Sequence, residues 1–187
     1  MGKQIILFGT SNQHKLKEAR AILESEKYSI KHYEIDLLEI QDNSLEKIAY
    51  HSLINLPEMD FPIFVEDTGL FIKKLNGFPG PYASQTFKSI GNEGILKLMK
   101  DENDRDAYFE SYIAFKDTHG EIKTFQGICK GQIAKKNQGT EWGFDPIFIP
   151  ISQKYNPNHL TFSQLGEETK NLLSHRSQAL QNLKVFL

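Results

Sequence analysis

The 187-residue sequence has little cysteine and almost no net charge. A single cysteine, Cys129, cannot form an intrachain disulfide, and we expect it to be a small core residue in a reducing compartment. The formal net charge of −2 is far from the concentrated positive charge of a general nucleic-acid binder. We therefore expect no nucleic-acid partner.

Long apolar runs are also missing. The first apolar run, "IILF" at residues 5–8, is far shorter than the roughly 20 apolar residues of a membrane-spanning helix. It is also too short for the core of a signal peptide, and no myristoylation or prenylation pattern is present. We expect a cytoplasmic protein with no membrane partner.

What the sequence does contain is an alternation of strand and helix patterns. The continuous apolar run at residues 3–8 is typical of a strand buried on both faces of a parallel sheet. Helical spacing then predicts a helix from Gln13 to about Ser25, capped by Ser11 or Asn12. The other predicted elements are strands at 28–35 and 63–67, helices at 44–56, 92–100 and 167–186, and a hairpin around 118–120. This order predicts an α/β protein with a mixed sheet.

Two adjacent carboxylates, Glu66 and Asp67, interrupt the third predicted strand. A buried charge is costly unless it is paired or binds a metal. Because neighbours on a strand point to opposite faces, one acid can face a ligand while the other needs a structural partner. A metal site here would need another carboxylate from a distant segment. The alternative is a salt bridge on an edge strand.

The segment "TSNQHK" at residues 10–15 leads from the first strand into the first helix. The backbone N–H groups and the positive dipole at a helix start favour an anion, and Lys15 adds a cation. The phosphate-binding pattern G-x-x-x-x-G-K-[ST] is absent. The alternative is a helix cap beside a surface lysine.

Two later segments combine aromatic rings or cations with polar groups. In "TEWGFDPIF" at residues 140–148, two large aromatic residues beside a carboxylate suit a flat heterocycle, or they form core around a turn. In "KNLLSHRSQAL", three potential cations are suited to phosphate or carbonyl oxygens, or they are the ordinary polar face of a helix. These are Lys170, His175 and Arg176.

Together the motifs resemble one family over residues 5–185, the inosine triphosphate pyrophosphatases or Ham1-like proteins. The motifs are "TSNQHK", "VEDTGLFI" with "GFPGPYAS", "EWGFDPIF" and "SHRSQAL", in this order. The resemblance implies a long mixed sheet with flanking helices and two lobes around a deep cleft. It also implies a single domain over residues 1–187 without a separate linker, and assembly as a homodimer.

The resemblance implies Mg²⁺-dependent hydrolysis of ITP, dITP and XTP to the nucleoside monophosphate and pyrophosphate, which removes deaminated purine nucleotides from the pool. Asp67 matches the catalytic acid, which would hold Mg²⁺ and orient or deprotonate the attacking water. Glu39, in "IDLLEIQD", is the best match to a second metal-binding acid. The positions that match substrate-binding residues are Thr10, Ser11, Asn12, Gln13, His14, Lys15, Lys47, Thr68, Trp142, Gly143, Phe144, Asp145, Lys170, His175 and Arg176.

The predicted base selectivity has a physical reason. Hypoxanthine and xanthine carry a carbonyl acceptor at position six, to which His175 and Arg176 can donate. The amino group of adenine would leave those donors unpaired, and unpaired buried donors discriminate strongly.

Three other functions are compatible with parts of the sequence. Maf-like pyrophosphatases act on pyrimidine or modified nucleotides, but "SHR" and "GFDPIF" favour the purine-type family. A non-catalytic nucleotide sensor would not need Glu39, Asp67 and Lys15 together. A nucleic-acid-binding module is disfavoured by the near-neutral charge.

Overall fold

The computed structural model describes residues 2–140 and 142–187. Within these ranges, the strands are β1 (Gln4–Gly9), β2 (Tyr28–Tyr33), β3 (Ile63–Ile72), β4 (Pro79–Gly80), β5 (Asp106–Lys116), β6 (Ile122–Ile133) and β7 (Phe148–Pro150). They form one sheet in the order β2-β1-β3-β5-β6-β7, with β4 paired to β3. Strand β1 runs parallel to β2 and β3, whereas β4 is antiparallel to β3 and β7 is antiparallel to β6. The predicted mixed α/β sheet is confirmed.

The helices are α1 (Gln13–Leu23), α2 (Leu45–Ile54), α3 (Ala83–Leu98), α4 (Phe162–Leu173) and α5 (His175–Phe186). The cap predicted for the first helix is confirmed at Asn12, which accepts hydrogen bonds from the backbone N–H groups of His14 and Lys15. Ser44 caps α2 in the same way, by accepting from the Lys47 N–H. None of the helices in the described ranges has the length and apolar character needed to cross a bilayer.

The chain divides into two compact units that are interleaved in sequence. Unit 1 comprises Met1–Asp67, Ser111–Gly127 and Arg176–Leu187. Unit 2 comprises Thr68–Glu110 and Ile128–His175. The lobes and the cleft implied by the resemblance stay predictions.

Unit 1 has core on both faces of its part of the sheet. Phe64 packs with residues of α1 and α5, and its ring stacks on Phe8 with centroids 4.3 Å apart. Its neighbours Ile63 and Val65 pack on the other face with residues of α2. This arrangement confirms that the continuous apolar runs are strands covered on both faces.

Unit 2 is built around a cluster of aromatic rings. Phe109 of β5, Phe148 of β7 and Phe162 of α4 are buried together, with ring centroids 4.7 to 6.3 Å apart. Aromatic side chains of this size bury large apolar areas and favour offset or edge-to-face contacts. They hold the start of α4 against the sheet of this unit.

The predicted helical segment at 167–186 consists of two helices, and the sequence pattern had left open whether it breaks around Ser174. The chain leaves helical geometry at Ser174, with φ −68° and ψ 151°, so α4 ends there and α5 begins at His175. Leu172 of α4 is 61% exposed, while Leu180 and Leu183 of α5 are buried. A uniform apolar spacing had hidden the break, because both helices present apolar residues to a core.

Candidate active site

The first loop, residues 10–15, leaves the sheet at the carboxyl end of β1. The last pair between β1 and β3 joins Gly9 to Val65, so the loop departs directly beside Glu66 and Asp67. The carboxyl ends of parallel strands are where open α/β sheets bind ligands. Strand β3 lies between β1 and β5, so the edge-strand alternative is wrong. The strand also continues to Ile72 rather than ending at Asp67.

The polar side chains of Thr10 and Asn12 form hydrogen bonds with the backbone of the same loop. The hydroxyl of Thr10 accepts from the Asn12 N–H at 3.1 Å. The Asn12 Oδ1 accepts from the N–H groups of His14 and Lys15, at 2.9 and 3.3 Å. These two donors at the start of α1 are therefore already satisfied, and the helix-cap interpretation is correct. The side chains of Ser11, Gln13 and His14 are exposed.

Lys15 is not a surface lysine, because its ammonium group contacts Glu66. The Nζ atom lies 3.0 Å from the backbone carbonyl oxygen of Glu66 and 2.9 Å from its side-chain Oε2. That carbonyl belongs to the peptide bond between Glu66 and Asp67. The contact places the cation of the first loop beside the backbone of the predicted catalytic acid.

Glu66 is the centre of a buried group of charges in unit 1. Its Oε1 accepts from the Ser111 hydroxyl at 2.5 Å and from Arg176 Nε at 3.2 Å. The same guanidinium donates from Nη1 to Glu18 Oε2 at 2.5 Å. Arg176 and Glu66 are only 3% and 5% exposed. The predicted division of roles on β3 is confirmed for Glu66, which has structural partners.

Arg176 was predicted to bind substrate, and its observed contacts are with protein carboxylates. Paired buried charges stay buried only when their remaining hydrogen-bonding groups are satisfied. A guanidinium carries five N–H donors, so the hydrogen bonds to Glu18 and Glu66 do not by themselves exclude a further contact with a base. The predicted contact of Arg176 with substrate stays a prediction.

Asp67 and Thr68 follow Glu66 on β3 and are both half-buried. Alternation along the strand turns the Asp67 carboxylate to the face opposite Glu66.

Glu39 and Lys47, also in unit 1, are exposed. Glu39 lies in the irregular segment between β2 and α2. Lys47, in the first turn of α2, lies 3.5 Å from the Asp42 carboxylate. The Ser44 N–H keeps the pKa of Asp42 below its ordinary value, and Lys47 contributes to that shift.

The carboxylates of Asp67 and Glu39 are donors of the kind that Mg²⁺ prefers. Across residues 2–140 and 142–187, no cluster of three or more His, Cys, Asp and Glu side chains forms a metal site. Mg²⁺ rarely needs one, because it keeps several waters and is held by one or two carboxylates plus substrate phosphates. Asp67 and Glu39 supply hard oxygen donors of this kind.

The aromatic loop, residues 142–145, belongs to unit 2. Trp142 is 44% exposed, whereas Phe144 and Asp145 are buried. Gly143 has φ +66°, in the left-handed region that suits glycine. The loop therefore combines an exposed ring with a buried one, so Phe144 is part of the core and the stacking role of Trp142 stays a prediction.

Lys170 of α4 binds the aromatic loop. Its Nζ lies 2.6 Å from Asp145 Oδ2, and both side chains are largely buried. An ion pair shielded from water is screened less than a surface pair. The structure thus brings together two predicted site residues that are 25 positions apart in sequence.

His175 is 4% exposed, and its ring stacks on Phe109 with centroids 4.6 Å apart and an interplanar angle of 13°. The imidazole is thus part of the aromatic cluster of unit 2. Its predicted contact with a base stays a prediction.

Several residues that shape these sites were not singled out from the sequence. Glu18 lies on the buried face of α1, four residues before Ile22, and an acid at such a position is a usable signal. Ser111 carried no comparable signal, because a small polar residue on a strand is common. His32 was left unassigned, yet its Nε2 donates to the Thr10 carbonyl oxygen at 2.7 Å.

A cavity of about 380 Å³ in unit 2 has none of the predicted site residues in its lining. Four exposed lysines contribute to that lining, at the end of α3 and after β6. None of the lining residues belongs to the motifs described above, so we assign the cavity no part in the chemistry.

Comparison with known proteins connects these sites to one family. The model of the Ham1 family matches residues 6–186. A dITP/XTP pyrophosphatase of Korarchaeum cryptofilum is 44% identical over 183 residues, covering 97% of this chain and 95% of the relative. The dITP/XTP pyrophosphatase of Methanopyrus kandleri is 43% identical, with 94% and 92% covered.

Solved structures agree with these sequence matches. The Ham1 protein of Staphylococcus aureus superimposes with a TM-score of 0.81 at 26% identity, covering 98% of this chain and 97% of that one. A nucleoside-triphosphatase / dITP/XTP pyrophosphatase of Mycobacterium abscessus gives 0.72 at 27% identity, with 96% and 98% covered. The match to the family model over nearly all of the sequence, and relatives above 40% identity, place this chain in the Ham1 family.

Proposed function

We propose that this chain is a nucleoside triphosphate pyrophosphatase that hydrolyses ITP, dITP and XTP to the monophosphate and pyrophosphate. The observation that carries the proposal is the contact of Lys15 with both the carboxylate and the carbonyl of Glu66. It joins the predicted triphosphate loop to the strand position of the predicted catalytic acid. The names of the dITP/XTP pyrophosphatase relatives support the same substrate class.

Unit 1 supplies the groups for the phosphates. The first loop is held rigid by its own hydrogen bonds and by Lys15, which is fixed by Glu66. A preorganised cation stabilises negative charge on phosphate oxygens without reorganisation during the reaction. Lys47 is exposed at the start of α2 and would add a second cation for the same phosphates.

Asp67 is the general base that orients and deprotonates the attacking water. Its carboxylate would accept a hydrogen bond from that water, hold it in line, and take its proton as the phosphoanhydride bond breaks. Mg²⁺, when held by Asp67 and Glu39, would supply positive charge against the triphosphate. The remaining contribution of the chain is positioning, which is the main part of catalysis in phosphoryl transfer.

Unit 2 supplies the groups for the base. The exposed ring of Trp142 offers a stacking surface, and base–aromatic stacking contributes about 1–3 kcal/mol. Asp145, held by Lys170, offers a fixed carboxylate to donors on the ring of the base. His175 is a possible donor to a carbonyl at position six, which would disfavour ATP.

We further propose that the enzyme acts as a cytoplasmic homodimer. The resemblance to the family supports this assembly, and a single buried cysteine suits a reducing compartment. Light scattering on the purified protein measures the mass of the assembly, and a monomer would contradict this part of the proposal.

The decisive experiment measures pyrophosphate release from ITP, XTP, ATP, GTP, dTTP and UTP, each with and without Mg²⁺. We expect Mg²⁺-dependent turnover of ITP and XTP, and little turnover of the other nucleotides. A preference for dTTP or UTP would favour a Maf-like activity. Tight binding of ITP without any release of pyrophosphate would favour a sensor, and either result would overturn the proposal.

A further inference from the structure

Asn92 of α3 binds the backbone of the aromatic loop. Its Nδ2 lies 3.1 Å from the carbonyl oxygen of Gly143. A carbonyl oxygen only accepts hydrogen bonds, so the amide nitrogen of Asn92 must face it and the orientation of the side chain is fixed. The opposite atom, Oδ1, is then buried and has no hydrogen-bond partner among the described residues.

The bonded carbonyl lies at the point where the loop changes direction. Gly143 has a left-handed backbone, between the exposed ring of Trp142 and the buried ring of Phe144. Fixing the Gly143 carbonyl fixes the peptide plane that separates these two rings.

Helix α3 contacts the aromatic loop through one residue before its kink and one residue after it. Before the kink, Phe87 makes an edge-to-face contact with Phe144, with centroids 5.4 Å apart and planes at 85°. The kink is at Gly91, whose φ of +60° and ψ of −165° interrupt the helix. Asn92 is the first residue beyond it. The kink therefore allows one helix to hold the loop through a ring and through a hydrogen bond.

Stability alone does not explain an asparagine at this position. A buried acceptor without a partner opposes folding, and such groups in native proteins call for another reason. An apolar residue of similar size would avoid this unmet acceptor but leave the Gly143 carbonyl unmet instead, so the number of unmet acceptors does not decide between the two residues. What only the amide can provide here is a donor to the Gly143 carbonyl in a fixed direction.

We propose that Asn92 is a positioning residue that sets the aromatic loop, and with it the Trp142 ring, for stacking on the base of the nucleotide. The inference rests on the proposed function for its nucleotide part. It assigns to α3 a role in base recognition, although no motif in that helix indicates one.

The test compares Asn92→Ala and Asn92→Leu with the wild type and with Asn182→Ala. The control is matched, because the Asn182 amide also donates to a backbone carbonyl, that of Gln126, at 2.9 Å. Trp142 is the only tryptophan of the sequence, so its fluorescence reports directly on the aromatic loop. Because both Asn92 variants exchange the unmet Oδ1 for an unmet Gly143 carbonyl, we expect them to fold with a thermal midpoint close to that of the wild type.

For both Asn92 variants we expect changed Trp142 emission without nucleotide, and a KM for ITP raised about fivefold with little change in kcat. Asn182→Ala should match the wild type in both measurements. Wild-type emission and wild-type KM in the Asn92 variants would overturn the inference, as would a loss of kcat with unchanged KM.

Failure of the proposed function gives a different result. If the wild type releases no pyrophosphate from any purine nucleotide, the proposed function is overturned together with the nucleotide part of this inference. The emission of Trp142 in the nucleotide-free variants still decides whether Asn92 sets the loop.

Discussion

The ammonium group of Lys15 contacts Glu66 at two atoms, the side-chain Oε2 at 2.9 Å and the backbone oxygen at 3.0 Å. One contact neutralises a buried carboxylate, and the other fixes the peptide bond that leads into Asp67. A single side chain thus links the charge balance of the unit 1 core to the position of the catalytic candidate. Changes at Lys15 should therefore affect both stability and turnover.

We expect Lys15→Met to lower kcat/KM for ITP about 10- to 100-fold, because a charge-assisted contact of this kind contributes roughly 1.5–3 kcal/mol. The variant should also unfold at lower urea concentration, because Glu66 loses a partner. Lys31→Met, at an exposed position of β2, is the control and should change neither quantity. Wild-type turnover in Lys15→Met would remove Lys15 from the phosphate site.

We expect Asp67→Asn to lose about 10²- to 10⁴-fold in turnover, the usual effect of removing a general acid or base. The fold should survive, because Asp67 is half-buried and the amide has the same shape. Pyrophosphate release and a thermal melt measure the two effects. Asp60→Asn, at an exposed turn, is the matched control, and equal activity of both variants would exclude Asp67 from catalysis.

We expect Arg176→Met to destabilise the protein by about 3–5 kcal/mol, because Glu18 and Glu66 would be left buried without their shared cation. Arg20→Met should cost only about 1 kcal/mol, because Arg20 is exposed, its ion pair with Glu24 spans 3.9 Å, and its hydrogen bond to the Ile30 carbonyl is long at 3.3 Å. Urea unfolding measures both. Similar losses in the two variants would show that the buried charges are not a stabilising unit.

The thiol of Cys129 should be protected from chemical modification. Burial raises its pKa from the ordinary 9.0 to about 12. We expect a thiol reagent to react slowly with the native protein at pH 8 and rapidly after unfolding, because the thiolate is the reactive form. Fast reaction of the native protein at pH 8 would contradict this account.

The same shift has a consequence for stability. Between pH 9 and pH 12 the folded thiol keeps its proton while the unfolded thiol loses it. The contribution of Cys129 to the free energy of unfolding is therefore complete below pH 9 and is lost as the pH rises through about 12. Cys129→Ala should remove that part of the alkaline decline in urea midpoint, and an identical decline in both proteins would oppose this interpretation.

The features that could be predicted from the sequence are local ones. Strand β1, helix α1 and the cap at Asn12 depend on residues close in sequence, and the structure confirms them. The need of one acid for a structural partner followed from strand alternation alone, and Glu66 meets it. Because the pairing of β1 with β3 ends beside Glu66, the first loop and the acids meet at one end of the sheet.

What could not be predicted depends on partners that are far apart in sequence. Arg176 contacts Glu66 across 110 positions and Glu18 across 158, and no local pattern identifies either contact. The break at Ser174 was hidden because apolar spacing continues on both sides of it. Asn92 was missed because its partner is a backbone carbonyl, which leaves no mark in the side-chain sequence.

The chain passes between its two units in the middle of two motifs, after Asp67 and after His175. Thr68 therefore belongs to a different unit from Asp67, and Arg176 to a different unit from His175. A chimeric protein that took unit 1 from one relative and unit 2 from another would contain, in each of these two motifs, residues from both parents. Such a chimera would keep matched halves only where both parents carry the same residues, so new base preferences are more readily acquired by point substitution than by exchange of units.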